Sequence, residues 1–295
     1  MTSRRADGLI IAATAVWGVS FVVVKGALAA SSPLAFLAMR FAIATVALAP
    51  LVGFRAPWSG AELRAGLLLT LLLATGFATQ AVGLQYTTPA RSAFIVAISS
   101  VLAPIVAFTV LRQRLRWWVT AAVAIAGVGI YFLTAPSAGG LNRGDLWTMI
   151  TAVVFGGHIV AVAEFSRRHD ARRLVWLQVA GTTVGAAIAA ALLEPIRVEW
   201  SWALGTALVY TGVVATAAAL VWQMRAQREM SPARAALLLC CEPVFATITS
   251  WWWLGERLSV TQWIGAGLIV AGMILAELPA RGAGHPSRSP DGVVG

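Results

Sequence analysis

Apolar residues in this chain come in long unbroken runs, without the one-sided spacing of an amphipathic helix. Ten runs are visible, near 8–28, 34–52, 64–84, 90–111, 117–135, 145–165, 173–193, 202–222, 233–254 and 262–279. A helix needs about 20 such residues to cross the hydrocarbon core of a bilayer. Only helices and closed barrels satisfy their backbones in lipid, and the runs lack the alternation of barrel strands. The pattern therefore predicts an all-α membrane protein with ten transmembrane helices. The short connections hold most of the Arg, Asp, Glu and Pro. Arg4 and Arg5 before a stretch ending Ala27-Leu28-Ala29 resemble a signal peptide. That run is longer than a typical signal core, is interrupted by Lys25 and is followed by nine more, so it reads as a retained first helix.

Composition agrees. Of 295 residues, 59% are hydrophobic and 12% charged, and the mean hydropathy is +0.80. A soluble domain carries about 25% charged residues, so a soluble enzyme and a secreted protein are excluded. The net charge of +10 would point to nucleic acid in a soluble protein, but the placement of the charges gives another cause. With the N-terminus in the cytoplasm, 16 arginines fall on inside segments and four (Arg91, Arg143, Arg197 and Arg257) on outside ones; Lys25 and Arg40 lie within spans. This positive-inside bias places both termini in the cytoplasm of a multi-pass inner (plasma) membrane protein and removes nucleic acid as a partner. Tryptophans 58, 117, 118, 147, 176, 200, 202, 251, 252, 253 and 263 lie near predicted span ends, as an aromatic belt. Cys240 and Cys241 fit neither a disulfide framework nor a metal site. No cofactor, metal or Walker motif is expected, and the partners are a small-molecule substrate and the lipid bilayer.

An internal repeat organises the spans. At an offset of 143 residues, Pro89-Ala90-Arg91 matches Pro232-Ala233-Arg234, Leu115 matches Leu258 and Gly129 matches Gly272. Two five-helix repeats are expected at 1–135 and 145–279, with a linker at 136–144 and a disordered tail at 280–295. Five is odd, so the second repeat enters the membrane upside down relative to the first. Inverted repeats characterise secondary transporters, with the substrate near the midplane where the halves meet.

Counting residues into each span selects candidates for that site. Glu242 falls near the midplane, where an ionisable group is expensive and marks function by default; the alternative is a brace for helix packing. Pro243 disturbs the carbonyl of Leu239 and Pro104 that of Ser100, so both spans are expected to bend near mid-membrane. His158 is central and titratable, with a packing histidine the plainer reading. Ser20 falls opposite it when Trp17 is aligned with Phe155. Trp17 offers a flat apolar wall, with Phe94, Phe155 and Tyr210 as weaker members. Arg40 is deep and has no acid nearby in sequence, so a substrate carboxylate or a gate contact is a candidate partner. Gln80, Ser99 and Ser100 are polar groups for substrate or for close helix approach. Lys25 is read as snorkelling to the outer interface, and Gly265 to Gly272 as a packing seam.

The order Ser231-Pro232-Ala233-Arg234, Glu242-Pro243, Leu254-Gly255-Glu256-Arg257-Leu258-Ser259, then Gln262-Trp263-Ile264-Gly265 through Gly272 resembles the EamA module of the drug/metabolite transporter superfamily. The first half resembles it more loosely, through Trp17-Gly18, Pro104, Leu115 and Gly127-Val128-Gly129. There, Leu102 or Ser100 stands for Glu-Pro, and Gln113-Arg114 for Gly-Glu. Within the superfamily the chain resembles YddG-like aromatic amino-acid exporters. The resemblance implies a ten-helix inner-membrane carrier that exports small metabolites, amino acids foremost, by alternating access. A channel-like facilitator and an intramembrane enzyme are the alternatives. The enzyme reading lacks support, because His158 is alone in its span and no Gly-x-Ser-x-Gly motif occurs.

Overall fold

The structure is a computed structural model and describes residues 3–52, 57–112, 116–135, 140–227 and 238–276. The expected tail, residues 136–139 of the expected linker and the Ser231-Pro232-Ala233-Arg234 segment lie outside the described residues. The chain forms α1 (Ser3–Ala27), α2 (Pro33–Leu48), α3 (Gly60–Tyr86), α4 (Pro89–Ala97), α5 (Ser99–Leu111), α6 (Trp117–Leu133), α7 (Arg143–Phe165), α8 (Ala171–Leu193), α9 (Trp202–Val209), a π-helical segment (Tyr210–Ala218), α10 (Ala219–Gln227), α11 (Glu242–Leu254) and α12 (Val260–Ala276). Among the described residues seven helices are long and apolar enough to cross a membrane, and α6 and α12 are shorter apolar helices. One isolated bridge, between Ser31 and Val198, is the sole strand-like pairing among the described residues.

Helix ends follow local chemistry. Pro at the first helical position and side-chain caps supply the starts. Ser59 accepts from the Glu62 amide, Thr88 from the Arg91 amide, and Asn142 with Asp145 forms a capping box. The amides of Leu34 and Ala35 at the start of α2 donate to Glu194, which follows α8. Left-handed residues, Arg112 after α5 and Gly255 after α11, stop two of the helices.

Packing depends on small residues, as expected where lipid removes the hydrophobic drive between helices. Helices α6 and α12 run antiparallel with backbones nearly touching. A Cβ at Gly129 would meet the Gly265 carbonyl, and one at Gly272 would meet the Ala122 carbonyl, each at 2.8 Å. Helices α3 and α7 are also antiparallel, with Gly83 against Gly144 and the Thr79 and Thr151 hydroxyls 2.8 Å apart. In the antiparallel α2–α8 pair, the Thr45 and Thr183 hydroxyls are 3.0 Å apart and Trp176 Nε1 donates to the Thr45 carbonyl.

The two ends of the bundle differ. At the arginine-poor end a cluster including Phe21, Val24, Phe36, Leu84, Val96 and Leu204 fills the centre. A polar lid lies over it. Lys25 Nζ donates to the carbonyls of Leu84 at 2.6 Å, Gln85 at 3.1 Å and Thr87 at 3.0 Å, which ties down the end of α3. Arg91 pairs with Asp145 at 2.5 Å, with side-chain exposures of 6% and 0%, and Thr87 Oγ1 donates to the same carboxylate. Glu256 accepts from the Ala90 amide and from the Ser250 hydroxyl. At the other end Arg173 Nε lies 3.1 Å from Glu62 and its guanidinium covers the Trp58 ring, joining α3 to α8.

Two stability predictions follow from this packing. Gly129→Val inserts an isopropyl group where a backbone lies, and overpacking of this kind costs about 1–3 kcal/mol; a lowered melting temperature in detergent is expected. Asp145→Ala leaves Arg91 buried without its partner, a loss of about 3–5 kcal/mol, so its melting point should fall further. Unchanged melting in either variant contradicts the corresponding contact.

Candidate functional site

Two of the crossing segments are broken at mid-depth. The expected span 90–111 is interrupted at Ile98, where α4 ends and α5 begins at Ser99. The run through Leu239 is interrupted at Cys240 and Cys241, and α11 starts at Glu242 with Pro243 as its second residue. The proline expectation thus holds in position for Pro243 but not for Pro104, which lies inside α5 six residues beyond the break. The breaks are equivalent at the 143-residue offset. They also make equivalent contacts: Gly18 of α1 sits against Glu242 O, Phe245 Cβ and Ala246 N, whereas Gly156 of α7 sits against Ser99 O, Leu102 Cβ and Ala103 N. Ser99 thus lies 143 residues before Glu242 and against a glycine of a crossing helix as Glu242 does, whereas the sequence reading set Leu102 or Ser100 against Glu-Pro.

Between the breaks begins a cavity of about 820 Å³ that runs to the arginine-rich end. Trp17, Ser99, Ser100 and Glu242 line it at depth, and Leu111, Glu164 and Arg167 at its mouth. Its walls are otherwise mostly apolar. The Trp17 indole is fixed from behind, with Nε1 donating to the Ala215 carbonyl at 2.7 Å. That carbonyl belongs to the π-helical segment, whose wider turn changes which carbonyls the helix uses itself. The Glu242 carboxyl group has no hydrogen-bond or ion-pair partner among the described residues. At the mouth Glu164 is paired with both Arg167 and Arg168.

A second cluster lies behind Trp17. Arg40 is 5% exposed; its Nε donates to Thr216 Oγ1 at 3.2 Å. Its guanidinium lies 4.9 Å from the Phe77 ring centroid and 5.5 Å from that of Phe41. Phe77 stacks edgewise on Phe155, which neighbours His158. His158 Nε2 lies 2.6 Å from Gln178 Oε1. The Tyr210 hydroxyl donates to the Val16 carbonyl, and Tyr210 lines a separate groove of about 470 Å³ between α1, α9 and α11.

Of the sequence-predicted residues, the structure brings Trp17, Ser99 and Glu242 together on the cavity. Arg40, Phe155, His158 and Tyr210 form or adjoin the cluster behind it. Ser20 donates to the Trp17 carbonyl, supporting the wall rather than lining it. Phe94 is packed in the core with Ile95 and Ile98, and Gln80 is half-buried on α3 away from the cavity lining. Sequence reasoning missed Glu164 and Gln223 on the cavity, Gln178 as the partner of His158, and the π-helical segment with Thr216. Glu164 could have been found, since an acid beside Arg167-Arg168 ends a span. The others depend on pairings between distant helices.

The sequence model of the family described as "EamA-like transporter family" matches this chain twice, over residues 4–135 and 142–278. A protein of Archaeoglobus fulgidus with the name "Uncharacterized transporter" is 32% identical over 89% of this chain and 82% of its own length. YoaV of Bacillus subtilis, also named an uncharacterized transporter, is 18% identical over 90% of this chain and 94% of its own. A protein known from a crystal structure shares 20% identity with a TM-score of 0.67, over 92% of this chain and 98% of that one, a likeness of fold alone. With the family matched across both halves and long apolar helices running through it, the chain belongs to the EamA-like transporter family and is a multi-pass membrane protein.

Proposed function

We propose that this protein is a secondary transporter that exports small organic metabolites bearing an amino group, with amino acids the class its sequence resemblance implies, by alternating access across the inner membrane. The observation that carries the reading is the unpartnered Glu242 beside Trp17, at the blind end of a cavity formed between two broken helices. Discontinuous helices at mid-membrane are where transporter sites form, because irregular backbone is tolerated there only against a cavity.

Helix pairing supports two five-helix repeats of opposite sense, bounded as 1–135 and 145–279. Under an exchange of halves, α2 maps onto α8 and α6 onto α12, and each of these pairs packs antiparallel across the centre. The α3–α7 contact maps onto the contact of the π-helical span with α1, where Tyr210 meets Val16 and Trp17 meets Ala215. With the arginine-rich end in the cytoplasm, the cavity faces the cytoplasm and the lid of Lys25, Arg91, Asp145 and Glu256 closes the outside. Substrate would enter from within, settle between Trp17, Ser99 and Glu242, and leave once the lid has parted.

Glu242→Gln or Trp17→Ala should each lower amino-metabolite counterflow in proteoliposomes at least about tenfold, the effect of one lost contact to a charged group, about 1.5–3 kcal/mol. Wild-type flux in both variants removes the proposed site. Tags on the two termini should both be shielded from impermeant reagents in intact cells and both react once the cells are permeabilised; opposite faces would refute the paired five-helix arrangement.

A further inference from the structure

We infer that the cavity selects organic cations: solutes with an apolar or aromatic body and an ammonium group but no carboxylate. The inference rests on the transporter reading above and names its substrate class more narrowly. It comes from the charges that reach the cavity. Among the described lining residues the acids are Glu164 and Glu242 and the single cation is Arg167. Arg167 is already paired with Glu164 at the mouth. One unmatched acid therefore remains, Glu242, at the deep end, with no protein partner among the described residues.

Trp17 adds a second attraction for the same kind of ligand. Its N–H is committed to Ala215 on the side away from the cavity, so what it offers a ligand is the ring itself. A ring face and a nearby carboxylate favour an ammonium together, the ring through its quadrupole and the carboxylate through its charge. Ser99 adds a neutral hydroxyl. The apolar stretch of Ala103, Pro104, Ala107 and Ile159 suits a hydrocarbon body.

Among the described lining residues an α-carboxylate finds no counterpart at the deep end. Arg40, the deep cation, is absent from the lining. It is held by Thr216 and by the rings of Phe41 and Phe77, on the far side of the π-helical segment whose Ala215 carbonyl anchors Trp17. A zwitterion placed with its ammonium on Glu242 would hold its carboxylate in an apolar pocket without a positive partner, which costs far more than it returns. The geometry thus separates an amino acid from the amine that lacks only its carboxylate.

The test uses the full chain in proteoliposomes with two permanently charged probes, (2-phenylethyl)trimethylammonium and N,N,N-trimethylphenylalanine, which differ only by the carboxylate and neither of which leaks through lipid as a neutral base. Counterflow of the quaternary cation should exceed that of the betaine at least about tenfold, one unpaired charge being worth 1.4 kcal/mol or more. Glu242→Gln should abolish the cation's exchange, while Glu242→Asp, which keeps the charge, retains a measurable part; size-exclusion profiles confirm that both variants fold. Equal or faster exchange of the betaine overturns the cation selectivity and leaves the transporter standing, with Arg40 then the group that receives the carboxylate. Exchange of neither probe, nor of any amino metabolite, removes the transport reading and the selectivity with it.

Discussion

Inside hydrocarbon every amide and carbonyl must find a partner within the protein, and this constraint governs where the chain can afford irregularity. Most of the crossing segments obey it as continuous helices sealed together by glycine and threonine. Among the described residues three mid-span segments depart from it: the turn at Ile98, the turn at Cys240 and Cys241, and the π-helical stretch from Tyr210 to Ala218. All three adjoin the same place. The two turns line the cavity, and the π-helical stretch supplies the carbonyl that holds its aromatic wall. Irregular backbone in lipid survives only where something other than lipid covers it, so its clustering marks the cavity more sharply than any single side chain does.

The architecture was largely readable from the chain because hydrocarbon is a severe filter on sequence. Long apolar runs and their breaks place most helices, and residue counting from a span end gives depth well enough to choose Trp17, Ser99 and Glu242. Lateral position was not readable. Depth says how far Arg40 is from water but not which helix it faces; four of the site candidates proved to be one helix layer away from the cavity. The partners of Arg40 are two rings and a hydroxyl on three other segments, and no local pattern announces them. The break at Ile98 was misplaced for a related reason. Proline is the visible cause of a kink, yet here the helix yields six residues before Pro104, where Gly156 lets α7 cross close to Ser99 and Leu102.

The ends of the bundle are closed by different physics. One is filled with apolar side chains and covered by charges that are each satisfied, several by helix termini rather than by opposite charges. Lys25 serves the carbonyls at the end of α3, and Glu256 the amide at the start of α4. Such contacts cross between helices with few atoms and can be exchanged for water without exposing hydrocarbon. The other end is held apart by the cavity itself, with Glu164 and the arginines at the rim. On the proposed reading these are the moving gate and the standing entrance of one conformation, and the opposite conformation would trade their roles.

Lys25 is the one lysine of the chain, and its amine is held by three carbonyls when that end is shut. Apart from the terminal amine, the protein therefore carries a single site for acylating reagents, already installed at the part of the molecule that has to come apart. The speed at which that nitrogen takes a label would clock the parting of the helices without any engineered probe.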